Sequence, residues 1–156
     1  MKKRYLSDIR LVGNSLIEFK HSEEFFTCSH TIKDFDAIDY DKTFETLSFY
    51  PSSRGKKYTA TEEDFEEFRR VILKNPQVVS CGHYIFSLDN IVTFSKRKKE
   101  DVLCIDCRTG GYLVKTNGKE EIKAFGIAMR KKWQETLSDF DQSRDSADIE
   151  EDTLIR

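Results

Sequence analysis

Three histidines and four cysteines are the side chains of this 156-residue chain best suited to metal or nucleophile chemistry. All but His21 fall in three short clusters: Cys28-Ser29-His30, Cys81-Gly82-His83 and Cys104-Ile105-Asp106-Cys107. Together these offer six soft or borderline ligands. Zinc takes four such ligands at tetrahedral positions, usually from Cys-x2-Cys knuckles on turns. Here the Cys-x2-Cys lies inside an apolar run that reads as a strand, where side chains alternate between faces. Cys104 and Cys107 therefore point to opposite sides, which argues against a shared ion and against a local disulfide. The Cys-x-His pairs do not have knuckle spacing. All four cysteines read as reduced, buried thiols behaving as small apolar side chains, with no metal and no other cofactor expected.

Catalytic motifs are absent from the chain. No nucleophile pattern surrounds His21, His30 or His83, and there is no Gly-rich phosphate loop, Gly-x-Ser-x-Gly or His-Glu-x-x-His. Asp34, Asp36, Asp39 and Asp41 could attract a cation. They lack the glycine at the sixth and the glutamate at the twelfth position of a calcium loop, so the stretch from Asp34 to Asp41 reads as an exposed acidic loop. The chain is expected not to be an enzyme.

Binding chemistry is better represented. Basic runs occur at Lys2–Arg4, at Arg54 with Lys56 and Lys57, at Lys96–Lys99 and at Arg130–Lys132. Tyrosines at 50, 58, 84 and 112 alternate with strand-forming residues and could stack on bases. The candidate nucleic-acid contacts are Lys96, Arg97, Lys98 and Lys99 with Tyr84 and Tyr112. Residues 1–137 carry 24 basic and 21 acidic side chains, only +3, and phosphate binding rests on neutralising charge. Residues 138–156 carry seven acidic side chains against Arg144 and Arg156, or −5, and read as an acidic tail. Within it Asp148, Glu150, Glu151 and Asp152 are candidate protein contacts.

Elements that must position these groups follow from periodicity and turn chemistry. Residues 9–19 read as a β-hairpin turning at Gly13-Asn14. Phe25–Phe35 reads as a strand entering a loop. Phe44–Tyr50 and Lys56–Ala60 read as strands around a Pro-Ser-Ser-Arg-Gly turn. Thr61 is an N-cap with Asp64 three residues on, and Phe65, Phe68 and Ile72 share one helix face before Asn75-Pro76 ends it. Val78–Leu88 and Ile91–Phe94 read as strands interrupted at Asp89-Asn90. Val102–Cys107 and Tyr112–Lys115 read as a hairpin turning at Gly110-Gly111. Asn117 caps a second helix with Glu120 three residues on, and Ile122, Phe125, Met129 and Trp133 share its apolar face.

The two halves share this grammar. Phe65, Phe68 and Ile72 match Ile122, Phe125 and Met129 at a constant offset of 57, and Leu47 and Phe49 match Leu103 and Ile105 at 56. Ile32 and Phe35 match Ile91 and Phe94 at 59. The fold expected is α+β: two tandem antiparallel strand–strand–strand–helix units, about 25–75 and 78–137, packed into one pseudo-symmetric body and preceded by the hairpin. A single three- or four-stranded unit cannot bury both its sheet face and its helix. The tandem arrangement, with the acidic helix start Tyr58–Phe68, resembles the PUR family of single-strand nucleic-acid binders. That resemblance implies repeats of four strands and a helix. The strongly basic aromatic sheet face of that family is not evident here. The segment Tyr84–Val114 also resembles small bacterial β-β-β-helix modules.

No run approaches the ~20 apolar residues of a membrane span. The stretch Leu6–Val12 carries Asp8 and Arg10 and does not read as a secretory signal. The chain is expected to be cytoplasmic. Its expected function is non-enzymatic binding or assembly with another protein or with itself, the alternative being single-strand nucleic-acid binding or regulation.

Overall fold

The computed structural model describes residues 3–51, 56–96 and 101–137. The chain is α+β, with eleven described strands, all paired antiparallel, and two α-helices. It divides into two compact units, residues 1–90 and 91–156.

In the first unit, β1 (Leu6–Val12), β2 (Leu16–His21) and β3 (Cys28–Thr31) form a three-stranded sheet. The β1–β2 turn is where Gly13 and Asn14 predicted it, and Gly13 takes the positive φ of 59° that glycine adopts without penalty. A five-stranded sheet follows in the order β6-β5-β4-β8-β7. Its strands are β4 (Ala37–Asp41), β5 (Thr46–Tyr50), β6 (Lys57–Thr59), β7 (Val78–Cys81) and β8 (Tyr84–Ser87).

The acidic stretch from Asp34 to Asp41 is not an exposed loop. Its second half is β4, the central strand of that sheet, with Ala37, Ile38 and Tyr40 buried. Aspartate is a poor strand residue, but Asp39 alternates with Ile38 and Tyr40, which fall on the opposite face, so packing overrides propensity. The segment 78–88 is likewise two strands rather than one. Gly82, at φ 61°, and His83 make the tight turn, and Cys81 pairs with Tyr84 across it.

Helix α1 (Glu62–Ile72) begins as its sequence predicts. Thr61 Oγ1 accepts from the Asp64 backbone N–H at 3.1 Å, and the Asp64 carboxylate accepts from the Thr61 N–H at 3.0 Å. Phe65 stacks on Tyr40 of β4 at 4.7 Å, while Phe68 meets Phe19 of β2 and Phe49 of β5 edge-on. One helix face thus joins both sheets in a single core, with Ile17, Phe19, Ile38, Leu47, Phe68 and Ile72 completely buried. Two amides fasten its margins: Asn75 donates to the Asn14 carbonyl, and Asn90 donates to those of Lys33 and Phe35.

The second unit contains β9 (Ile91–Lys96), β10 (Val102–Cys107), β11 (Gly111–Lys115) and α2 (Lys119–Leu137). The strands form a meander in the order β11-β10-β9. Gly111 pairs with Asp106 as the first residue of β11 and the Cys107 N–H donates to the Gly110 carbonyl, so the turn lies at Arg108-Thr109, two residues earlier than Gly110-Gly111. Leu103, Ile105, Val114, Ile122, Phe125 and Met129 are buried, with Phe94 and Phe125 in ring contact at 5.0 Å. Glu121, not Glu120, reaches back to the helix start and accepts from the Asn117 N–H at 3.0 Å.

Hairpin, short 3-10 turn, three-stranded meander and helix occur in that order twice along the chain. The pairing of the hairpins differs: β3 pairs with β2 alone among the described strands, whereas β8 also pairs with β4. The units divide after Asn90, so β7 and β8 belong with the first.

Candidate functional site

The first unit carries a cleft of about 520 Å³ where the two sheets meet. Its floor is built from three strands. His30 comes from β3, Phe49 from β5 and Tyr58 from β6, none of them adjacent in sequence. The His30 imidazole lies flat on the Phe49 ring, 3.8 Å between centroids and 11° between planes. Tyr58 stands edge-on to both, at 87° and 82°, and its hydroxyl shares a 2.7 Å hydrogen bond with His30 Nε2. Phe35 meets Phe49 at 84°, with 5.8 Å between ring centroids. The rim carries Glu24, Asp34 and Lys56 with Phe26, which is 86% exposed.

Burial keeps the inner groups of this cleft uncharged. Desolvation, with Lys56 adding repulsion, lowers the His30 pKa from 6.5 to about 4. Desolvation also pushes the Cys28 thiol up. It pushes the Tyr58 phenol up too, with Cys28 contributing. At neutral pH the cleft therefore presents an imidazole, a thiol and a phenol, all neutral. Of the expected Cys-x-His pairs, Cys28 and His30 face this one cleft, one residue apart on β3. Cys81 is buried at the end of β7. Among the described residues no group of three or more His, Cys, Asp or Glu side chains is placed to hold a metal ion, and none of the four cysteines forms a disulfide.

A second feature is charge. Residues 1–90 carry 13 basic and 15 acidic side chains, or −2, whereas residues 91–137 carry 11 basic and 6 acidic, or +5. The +3 of the body is thus concentrated in the second unit. Lys115, Lys119, Lys123 and Lys131 are exposed there.

The predicted nucleic-acid contacts are distributed across both units. Lys96 ends β9, and Arg97, Lys98 and Lys99 lie outside the described residues. Tyr112 shares a cross-strand row with Ile105 and Phe94, both buried, so it extends from the covered face of the second sheet. Tyr84 belongs to the first unit, where it stacks on Phe86 and pairs with Asp39, a carboxylate that would repel phosphate. The tail residues Asp148, Glu150, Glu151 and Asp152 also lie outside the described residues, as do Lys2 and Arg54.

The pocket residues His30, Phe35 and Phe49 were not singled out together by sequence reasoning. The available signal was the alternation of Cys28 and His30 on one strand face, which became a site only when strand pairing brought Phe49 and Tyr58 alongside.

No protein-family model matches the chain. No curated protein matches it either. Among solved structures it is similar to the LytTr DNA-binding domain of a protein described as a methyl-accepting/DNA response regulator from Bacillus cereus. That likeness has a TM-score of 0.50 at 10% identity and covers 75% of this chain and 98% of that domain. At such identity the shared property is the fold. Among the described residues no helix is long and apolar enough to cross a membrane.

Proposed function

We propose that the chain is a cytoplasmic nucleic-acid-binding protein that contacts DNA chiefly through its second unit. The observation carrying this reading is the fold likeness, which spans nearly the whole of a domain described as DNA-binding. The +5 charge of residues 91–137 supports it, since counterion release makes clustered cations the main source of affinity for a phosphate backbone. Lys96–Lys99 belong to the proposed surface. The repeated element order is taken as a tandem duplication whose second copy became basic. The neutral inner groups of the first unit's cleft favour binding over acid–base or nucleophilic catalysis, so no enzymatic step is assigned.

Fluorescence anisotropy with a short duplex and with its separate strands, at several salt concentrations, tests this. Affinity should fall linearly on logarithmic axes as salt rises. Replacing Lys115, Lys119 and Lys123 by glutamine should reduce the slope by about 0.9 for each duplex phosphate that is no longer neutralised. The same change at Lys42, Lys57 and Lys74 of the first unit should leave it unchanged. Absence of binding to duplex and single strand alike at low salt would sink the reading. A second reading, protein association, rests on the exposed rings of Phe25, Phe26 and Phe44. It predicts a concentration-dependent mass in light scattering that Phe44→Ser lowers.

A further inference from the structure

We propose that the cleft between His30, Phe49 and Tyr58 is a binding site for a neutral, planar heteroaromatic molecule of nucleobase or nucleoside size. This site is separate from the DNA reading, since it lies wholly within the acidic first unit.

Shape is the first argument. A volume of about 520 Å³ lies inside the ~300–1,000 Å³ range of small-molecule sites. It is too small for a folded partner to enter. The walls are aromatic and already oriented. The parallel His30–Phe49 pair sets one plane, and Tyr58 and Phe35 stand within 8° of perpendicular to Phe49. Phe35, Phe49 and Tyr58 are packed at 3–4% exposure, so the rings a flat ligand can reach are the half-buried His30 and the exposed Phe26. One offers a ring edge and the other a ring face, the two geometries aromatic pairs prefer.

The second argument is the state of the rim. Phe26 is 86% exposed beside a deep aromatic floor. A large apolar ring left in water at the mouth of a cleft costs free energy that a stacked ligand would recover. Phe26 would close over a flat ligand as its outer face.

Charge selects the class. Among the described residues the rim carries two carboxylates, Glu24 and Asp34, against one amine, Lys56. A phosphate would meet these two carboxylates, which disfavour nucleotides and a nucleic-acid backbone. A bare cation would meet Lys56. A neutral ring with amino and carbonyl groups on its edge suits all three: carboxylates accept from exocyclic amines, and Lys56 donates to a carbonyl. Inside, the His30–Tyr58 pair supplies uncharged hydrogen-bonding groups, which adds orientation without demanding a charged partner. Their suppressed ionisation agrees with this.

Calorimetric titration of the full chain with adenosine, guanosine, AMP and indole tests the proposal. At least one nucleoside should bind more tightly than AMP and than indole, which has the ring but almost none of the edge chemistry. Phe26→Ala alters only an exposed ring, so the chain should still fold, and it should weaken nucleoside binding about tenfold, the scale of one base–aromatic stack. Tyr58→Phe keeps the ring and removes the hydroxyl, and should weaken binding several-fold. Duplex-DNA affinity should be unchanged in both. The proposal is overturned if neither nucleoside binds at millimolar concentration, if AMP binds better than adenosine, or if both variants bind nucleoside like the parent. Parallel loss of DNA affinity in the two variants would also overturn it, because the cleft would then be part of the DNA surface.

Discussion

Both units contain three consecutive antiparallel strands followed by a helix, β4–β6 with α1 and β9–β11 with α2, and surround them differently. The first joins two sheets and a helix around a thick aromatic core, carries −2, and keeps a cleft of about 520 Å³ lined by rings. The second contains a three-stranded meander with one long helix, carries +5 over residues 91–137 against −5 over residues 138–156, and shows cations at the end of β11 and along α2. The helix starts differ in the same sense. In the first unit, Asp64 is fully buried and its carboxylate accepts from the backbone N–H groups of Thr61 and Tyr5 and from the Arg4 guanidinium. In the second, Glu121 is half-buried and accepts from the Asn117 N–H. An identical grammar of strand, strand, strand and helix therefore leaves charge and burial free to vary. Function should follow those two variables rather than the fold.

The sharpest way to break this comparison is at Asp64. Asp64→Ala removes the capping box, leaves the Tyr5 N–H unpaired and releases Arg4, which also binds Glu67 at 2.6 Å and is 43% exposed. The buried donors make this costly, on the order of 2–4 kcal/mol. Urea denaturation should show that loss in the midpoint. Nucleic-acid affinity at saturating folded fraction should be unaffected, if binding belongs to the second unit. The Arg4 bond and the backbone donors outweigh desolvation and hold the Asp64 carboxyl below its ordinary range. Its contribution is thus complete above the unfolded carboxylate range, near pH 4, and is lost as pH falls through the lower folded value.

Most of the local structure was legible in the sequence, because its signals are short-range. Thr61 with Asp64 marked a helix start, Gly13-Asn14 marked a turn, and the apolar faces at 65, 68 and 72 and at 122, 125 and 129 are all buried. Two errors share one cause. β4 was hidden by its aspartates, and the β7–β8 turn was hidden because Gly82-His83 sits between continuous apolar runs. The first is decided by pairing with other strands, where Asp39 meets Ser48 and Tyr84 across the sheet, and the second by the hairpin that pairs Cys81 with Tyr84. The cleft was illegible for the same reason. Its three floor rings lie at positions 30, 49 and 58, and no spacing rule links them. Alternation placed Tyr84 and Tyr112 on strand faces but could not say that they belong to different units.

A smaller effect separates the units by pH. His30 is neutral in the folded state down to about pH 4, while in the unfolded chain it takes up a proton near 6.5. The unfolded state therefore binds more protons between those values, and stability should decline as pH is lowered through that window. Glu24 and Asp34 at the rim favour the protonated ring, whereas Lys56 opposes it. Denaturation midpoints from pH 7 to pH 4 should fall less steeply in His30→Gln than in the parent. An unchanged pH slope would mean that the ring is better solvated than its place on Phe49 implies. Imidazole resonances followed by NMR would give the titration directly.

The smallest expected effect lies at the second helix start. Glu121→Ala removes one acceptor from the Asn117 N–H, a group close enough to water to find another partner. The loss should be about 0.5–1 kcal/mol, well under that at Asp64. The substitution also takes a negative charge from the basic stretch 91–137, beside Lys119 and Lys123. Under the proposed function, DNA affinity should rise slightly at low salt while stability falls slightly. The opposite signs make the variant informative despite its size. A purely structural role for the second helix predicts that any change in binding follows the loss of stability. An electrostatic role predicts that it runs against it, and that the gain disappears as salt screens the surface.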